Sequence, residues 1–180
     1  MKSPKKSSHM VRQYDDVLPS SYCKELIRIF ENSSEQEFIN DDNKPCFTQI
    51  NLNRENMPMV HMMIPIVRGV RTMYQQDTKS RFLPEIRSLE EFRIKRYLPN
   101  GEERFDEHVD VTDYASARRA VAFLFYLNDN DGVTHFTRQR FTVRPKTGKV
   151  VVFPPTWAHP HYGAAPSSTK YILSTYIHYG

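Results

Sequence analysis

Residues 120–127 read Ala-Val-Ala-Phe-Leu-Phe-Tyr-Leu without a polar break. A continuous apolar run of this length fits a strand buried on both faces. The stretch Asn128-Asp129-Asn130-Asp131-Gly132 stops it with a strong turn signal. A chain built around such a strand must cover it on two sides, which points to layered β structure.

The flanking segments agree. Residues 92–97 (Phe-Arg-Ile-Lys-Arg-Tyr) alternate, and residues 141–145, 148–154 and 170–178 read as further short strands. Earlier, residues 20–31 form an amphipathic helix in which Tyr22, Leu26, Ile29 and Phe30 share a face, with a Ser at its start as the expected cap. Residues 40–45 read as a turn or loop, and residues 47–52 alternate as a strand. Residues 58–75 carry Val60, Met63, Ile64, Val67, Val70 and Met73 at helical spacing, with Pro65 expected to kink the helix. Helices first and strands later predict an α+β, mainly β chain: a β-sandwich or jelly roll with helices packed outside. No internal repeat interrupts this order.

Composition permits one folded domain over residues 11–180. Hydrophobic residues make up 39% and aromatics 12% of the 180, which is not a disordered composition. The net charge of +4 rests on residues 1–10, which hold three Lys and no acid and read as a tag or linker remnant. Without them, 22 basic residues face 21 acidic ones, so a nucleic-acid partner is not indicated. Cys23 and Cys46 are too few for a disulfide framework; buried thiols in a reducing, cytoplasmic compartment are expected. No apolar run reaches membrane-spanning length, and no signal-peptide pattern opens the chain.

The chemistry gathers in two places. His108-Val109-Asp110 would set an imidazole and a carboxylate side by side if the segment were a strand, because residues i and i+2 share a face. A third ligand from elsewhere would complete the two-histidine, one-carboxylate set of non-haem Fe(II) oxygenases. Alone, the tripeptide reads equally as a solvated surface pair. The second place is Phe153-Pro154, then His159-Pro160-His161-Tyr162-Gly163, then Lys170 at the head of the final strand.

The order His-x-Asp, Phe-Pro, His-x-Gly and a late basic residue resembles the iron(II)- and 2-oxoglutarate-dependent dioxygenases, over roughly the half of the chain from Phe92 onward. Lys rather than Arg in the last place most resembles the prolyl 4-hydroxylase branch. The resemblance implies a double-stranded β-helix, or jelly roll, with N-terminal supporting helices. It implies His108, Asp110 and His161 as iron ligands, and Lys170, Tyr97 and Tyr126 as the 2-oxoglutarate-binding set. It gives His159, Tyr176, Thr134 and Trp157 supporting or substrate-facing roles. Fe(II) would be the metal, with 2-oxoglutarate and O2 as co-substrates and ascorbate as an accessory reductant. The implied reaction couples decarboxylation of 2-oxoglutarate, giving succinate and CO2, to hydroxylation of a C–H bond.

Two departures stand out. The family's Gly-Gly-Glu-Thr turn is here Asp131-Gly132-Val133-Thr134, and the interval from His161 to Lys170 is a residue shorter than the family's. His159 therefore stays open as the distal ligand, with His161 preferred for its trailing Gly163. Other residues have plainer readings. Tyr97 and Tyr126 could be core aromatics, and Trp157 reads more as packing than as a substrate contact. His135 and His178 read as structural or exposed, and His61 as lying on a partly buried helix face. Glu102, Glu103, Asp106 and Glu107 read as a solvated rim, and Arg138, Arg140 and Arg144 as a solvated sheet face.

The leading function is a hydroxylase acting on proline in a peptide or protein. The alternatives are the same chemistry on a free amino acid, another small molecule or an alkylated base, or a non-catalytic jelly-roll binding module. A cupin fits poorly, because an acid stands where that family has a second histidine. Residues 34–58 and 76–90 are polar and irregular, and are the expected lid and recognition segments.

Overall fold

The computed structural model describes residues 10–41 and 45–179. The tag reading of residues 1–10 therefore lies outside the described residues except at Met10, and the centre of the 40–45 loop lies outside them too. Asp41 N–H donates to the Pro45 carbonyl at 3.2 Å, so the two ends of that loop meet as a turn requires.

In chain order the elements are β1 (Arg12–Tyr14), α1 (Ser20–Asn32), β2 (Glu37–Asn40), β3 (Cys46–Asn51), α2 (Leu52–Glu55), α3 (Met57–Thr78), β4 (Arg93–Tyr97) and β5 (Phe105–His108). A short 3-10 turn (Ser116–Arg118) precedes β6 (Arg119–Tyr126), β7 (Thr134–Phe136), β8 (Phe141–Val143), β9 (Val150–Phe153), β10 (His161–Gly163) and β11 (Lys170–His178). The described strands form two antiparallel sheets. The larger runs β1-β9-β6-β11-β4-β3-β2, and the smaller runs β5-β10-β7-β8. Two facing antiparallel sheets with helices outside are the jelly-roll architecture expected from the strand pattern.

The apolar run has become β6, near the middle of the larger sheet between β9 and β11. One face of that sheet, including Phe123, Phe125 and Leu173, packs against Leu26, Phe30, Met63 and Val67 of α1 and α3. The other face, including Ala122, Tyr126, Val151 and Ile172, meets Phe136 and Val143 of the smaller sheet. Period-two side-chain placement sorts one strand between two cores, and this is why β6 has no polar break.

Several expectations need correction. No serine side chain caps α1; the Tyr22 and Cys23 amides donate to the Pro19 carbonyl instead. Helix α3 continues through Pro65, with Asn56 capping its start through the Met59 amide. His61 is exposed on that helix. Residues 34–58 are not an irregular lid, since they contain β2, β3 and α2. Residues 79–90 are irregular but tied down, because Arg71 donates to the Pro84 and Leu83 carbonyls and Ser88 accepts from the His178 amide. Cys23 and Cys46 are buried free thiols, as expected.

Gly148 shows what the β8–β9 turn demands. Its φ is +79°, and a Cβ there would lie 2.3 Å from the Leu18 carbonyl oxygen. The close approach lets the Gly148 carbonyl accept from the Val17 and Leu18 amides, which locks β1 and the start of α1 onto the sheet.

Candidate metal centre and pocket

The site lies between the two sheets and is assembled from cross-strand pairs. In the smaller sheet, β5 and β10 run antiparallel with His108 directly opposite His161. Their ring centroids are 4.3 Å apart. Asp110 lies just past the end of β5, so the reading of His108 and Asp110 as neighbours on one strand face is corrected. A bend carries Asp110 inward, held by its amide to the Pro155 carbonyl at 3.2 Å and by Arg119 Nη1 donating to its own carbonyl at 2.7 Å.

The three side chains converge. His108 Nε2 is 3.5 Å and His161 Nε2 is 3.9 Å from the Asp110 carboxylate, and one donor atom from each residue fits within a 4.8 Å group. Each imidazole has its other nitrogen occupied. His108 Nδ1 lies 2.7 Å from the Asp106 carbonyl, and His161 Nδ1 lies 3.1 Å from the His159 carbonyl. A carbonyl can only accept, so each Nδ1 carries the proton and each Nε2 is left to bind a metal. Phe105 stacks on His108 at 3.5 Å, while Phe136 and Phe153 flank His161, so the rings have little freedom to turn.

Electrostatics suit a cation. Burial alone would raise the Asp110 pKa, but the His108 bond and the charges of His161, His108 and Lys95 outweigh it and hold the carboxyl at about 2. Burial pushes the His161 imidazole below its ordinary value, which favours the neutral form that a metal needs. Two imidazoles and an ionised carboxylate suit a ferrous ion, and three protein ligands leave positions for other oxygen donors.

The larger sheet supplies the rest of the pocket. Tyr97 on β4 stands directly opposite Lys170 on β11, and the Lys170 ammonium lies 5.1 Å from the Tyr97 ring centroid. Lys170 is buried, and burial lowers its pKa to about 8, with Asp131 opposing. The Asn128–Gly132 turn aims this lysine. Asn130 donates to the Ser168 carbonyl, Asp131 accepts from the Ser167 amide, and Asn128 accepts from the Tyr171 amide. Gly163 adjoins the lysine: a Cβ there would sit 3.8 Å from Nζ, in space that an anion on Lys170 would use. Together the lysine, the tyrosine and this cradle fit a carboxylate within the pocket.

Of the residues singled out from sequence, the pocket brings together His108, Asp110, His161, Lys170, Tyr97, Thr134 and Tyr176. Tyr176 lines the pocket with Asp110, and burial raises its pKa. Tyr126 is corrected: it is fully buried behind Thr134, to whose hydroxyl it donates at 2.8 Å. His159 keeps a supporting place, its backbone carbonyl 3.1 Å from His161 Nδ1. It precedes β10, its amide donates to the Thr156 carbonyl, and among the described residues its side chain does not line the pocket. Trp157 is 74% exposed rather than packed, with the Arg138 guanidinium 5.5 Å from its ring. Glu103 is not a rim residue; it is buried and accepts from the Leu98 amide at 2.8 Å. Arg138 and Arg140 sit in the turn between β7 and β8, exposed. Neither proposed lid segment lines the pocket among the described residues.

Sequence reasoning missed two groups. Lys95 lines the pocket, and its signal was present: in an alternating strand it must share the Tyr97 face. Arg119, at the start of β6, donates to both Glu90 oxygens at 2.8 and 2.6 Å as well as to Asp110, while His178 Nε2 lies 3.0 Å from Glu90. No local motif marks that network, because it joins four separate segments.

A jelly roll enclosing two histidines and a carboxylate defines a non-haem Fe(II) oxygenase. The family model of the 2OG-Fe(II) oxygenase superfamily matches residues 92–178, the segment that holds every pocket residue named above. Over just under half of its length the chain is similar to that superfamily, and this match with the site makes it a 2-oxoglutarate-dependent dioxygenase, with Fe(II) as its metal and 2-oxoglutarate and O2 as co-substrates.

Solved structures agree on the fold. A Pseudomonas putida prolyl-4-hydroxylase aligns with TM-score 0.76 at 18% identity, covering 96% of this chain and 94% of that one. A Trichoplax adhaerens prolyl hydroxylase, in complex with a hypoxia inducible factor oxygen degradation domain peptide fragment, aligns with TM-score 0.77 at 12% identity, over 95% and 84%. A viral collagen prolyl hydroxylase from Paramecium Bursaria Chlorella virus-1, in a 2OG complex, gives 0.68 at 19%, over 94% and 96%. No curated protein sequence matches the chain.

Proposed function

We propose that this enzyme hydroxylates a prolyl residue in a peptide or protein, with His108, Asp110 and His161 as the iron ligands. The observation that carries the reading is the Tyr97–Lys170 pair, a buried cross-strand ammonium and phenol lining the same pocket as these three side chains. A lysine in this place, together with a fold similar over nearly the whole chain to prolyl hydroxylases, favours proline over other C–H substrates.

The bound iron with 2-oxoglutarate and O2 supplies the oxidising chemistry, which delivers one oxygen atom to the substrate and one to succinate. The chain's own residues bind and orient. Lys170 pairs with the distal carboxylate of 2-oxoglutarate, with the Tyr97 ring beside its ammonium. Thr134 lines the same pocket, its hydroxyl oriented by Tyr126. Tyr176 lines the pocket with Asp110, and Arg119 fixes the Asp110 backbone. Phe105, Phe153 and Ile172 keep water from the reacting centre.

Purified, iron-loaded protein should decarboxylate 2-oxoglutarate faster when proline-containing peptides are supplied, and mass spectrometry should find one added oxygen on the peptide. If no member of a peptide library raises turnover above the uncoupled rate, the substrate assignment is wrong.

A further inference from the structure

The pocket holds a second ammonium group that the roles above do not use. On β4, Lys95 and Tyr97 lie two residues apart and share a face. Tyr97 faces Lys170 across the β4–β11 ladder, and Lys95 faces Ile172 one same-face step along. The Lys95 ammonium lies 4.8 Å from the Phe47 ring centroid and 5.9 Å from that of Phe105. The ammonium itself lies over these rings, and the residue lines the pocket.

The charges around it are uneven. Arg93 has Glu91 at 2.9 Å and Arg119 has Glu90 at 2.6 Å, but among the described residues no carboxylate lies within 4.0 Å of Lys95 Nζ. Asp110 is the acid that acts on it most strongly, whereas Lys170 responds to Asp131. Lys95 sits one same-face step along the ladder from the Tyr97–Lys170 pair, beside the Phe105 ring that stacks on His108. Lys95 is half-buried, and holding an ammonium partly out of water without an anion, beside a wall of Phe105, Leu124, Phe153 and Ile172, costs free energy. Among the described residues the basic side chains within 4.0 Å of the Asp110 carboxylate are His108 and His161, not Lys95.

We propose that Lys95 is a second binding residue for the co-substrate, pairing with the carboxylate that a 2-oxo acid presents at its metal end, while Lys170 pairs with the other. The inference rests on the reading of the pocket as an iron and 2-oxo acid site. A diacid is then held by one cation at each end, and its register along the pocket is set by the β4–β11 ladder. Because Lys95 acts on the part common to all 2-oxo acids, it contributes to binding even where the distal carboxylate is missing.

The test is equilibrium binding, measured anaerobically by calorimetry on metal-loaded protein, with 2-oxoglutarate and with 2-oxobutanoate, which lacks the distal carboxylate. Lys95→Met should weaken both acids by about tenfold or more, the scale of a lost charge-assisted bond. Lys170→Met should weaken 2-oxoglutarate alone, and Lys95→Arg should recover part of the loss. Lys95→Gln, which keeps a polar tip, gives the same reading if the methionine variant folds poorly. Unchanged binding of both acids to the Lys95 variants overturns the proposal, including when peptide KM rises instead. So does an equal loss of metal affinity, which would make Lys95 a support of Asp110. If the wild-type protein binds neither acid, the failure lies with the 2-oxo acid reading of the pocket.

Discussion

His108 and His161 are direct cross-strand partners on β5 and β10, with ring centroids 4.3 Å apart. The two imidazoles are thus delivered by one antiparallel ladder, and Asp110 joins them from the bend that follows. This makes the proposed metal centre a property of the smaller sheet, while the proposed anion-binding lysine belongs to the larger one.

Substitution of His108, Asp110 or His161 by Ala should each abolish measurable binding in an anaerobic Fe(II) titration. His159→Ala should keep metal affinity within about tenfold of wild type, since its contribution is a backbone carbonyl to the His161 ring. Loss of metal in the His159 variant alone would reverse the assignment of the distal ligand.

Lys170 predicts a pH dependence. Its pKa of about 8 means that the cation needed for 2-oxoglutarate is present below that pH and lost above it. Co-substrate affinity should be flat up to about pH 8 and then fall by about tenfold per pH unit. Stability of the ligand-free protein should move the other way. The folded-state pKa lies below the unfolded value, so the unfolded chain holds the extra proton between the two, and the penalty for burying the charge fades as pH rises through that window. Lys170→Met should accordingly stabilise the ligand-free protein at pH 7, by up to about 3 kcal/mol in urea unfolding, while weakening 2-oxoglutarate binding.

The position of Tyr126 behind Thr134 separates two variants. Tyr126→Phe removes one buried hydrogen bond and should cost about 1 kcal/mol of stability, with KM for 2-oxoglutarate nearly unchanged. Thr134→Val changes the pocket wall itself and should raise that KM. The opposite pattern would return Tyr126 to the pocket.

Glu90 holds Arg119 and His178 together behind Asp110. Glu90→Gln should destabilise the fold by roughly 3 kcal/mol, because it leaves a half-buried guanidinium without its counter-charge. Burial alone would raise the Glu90 pKa, but the Arg119 and His178 bonds outweigh it and leave it below its ordinary value. The stability it lends is present above the unfolded carboxyl pKa and lost as pH falls through the folded one, so the wild-type protein should lose more stability on acidification than the variant. Calorimetric unfolding across acidic pH measures the difference.

Much of this was legible in the linear chain because it depends on local pattern. The apolar run at residues 120–127 announced a central strand, since only a strand between two cores needs both faces apolar. His108, Asp110, His161 and Lys170 could be named because the residue types and their order are specific to the chemistry. Lys95 was equally legible through its alternation with Tyr97, but a lysine in a strand is ordinarily solvated, and nothing local says otherwise.

What the amino-acid order determined was therefore the kind of element at each place and the donor atoms on offer. The tertiary structure decided which donors meet. Strand register alone set His161 rather than His159 opposite His108, put Thr134 in front of Tyr126, and joined Glu90, Arg119 and His178 behind the carboxylate. Register is settled by which faces of distant strands bury together, and that is a property of the assembled sheets that no single segment contains.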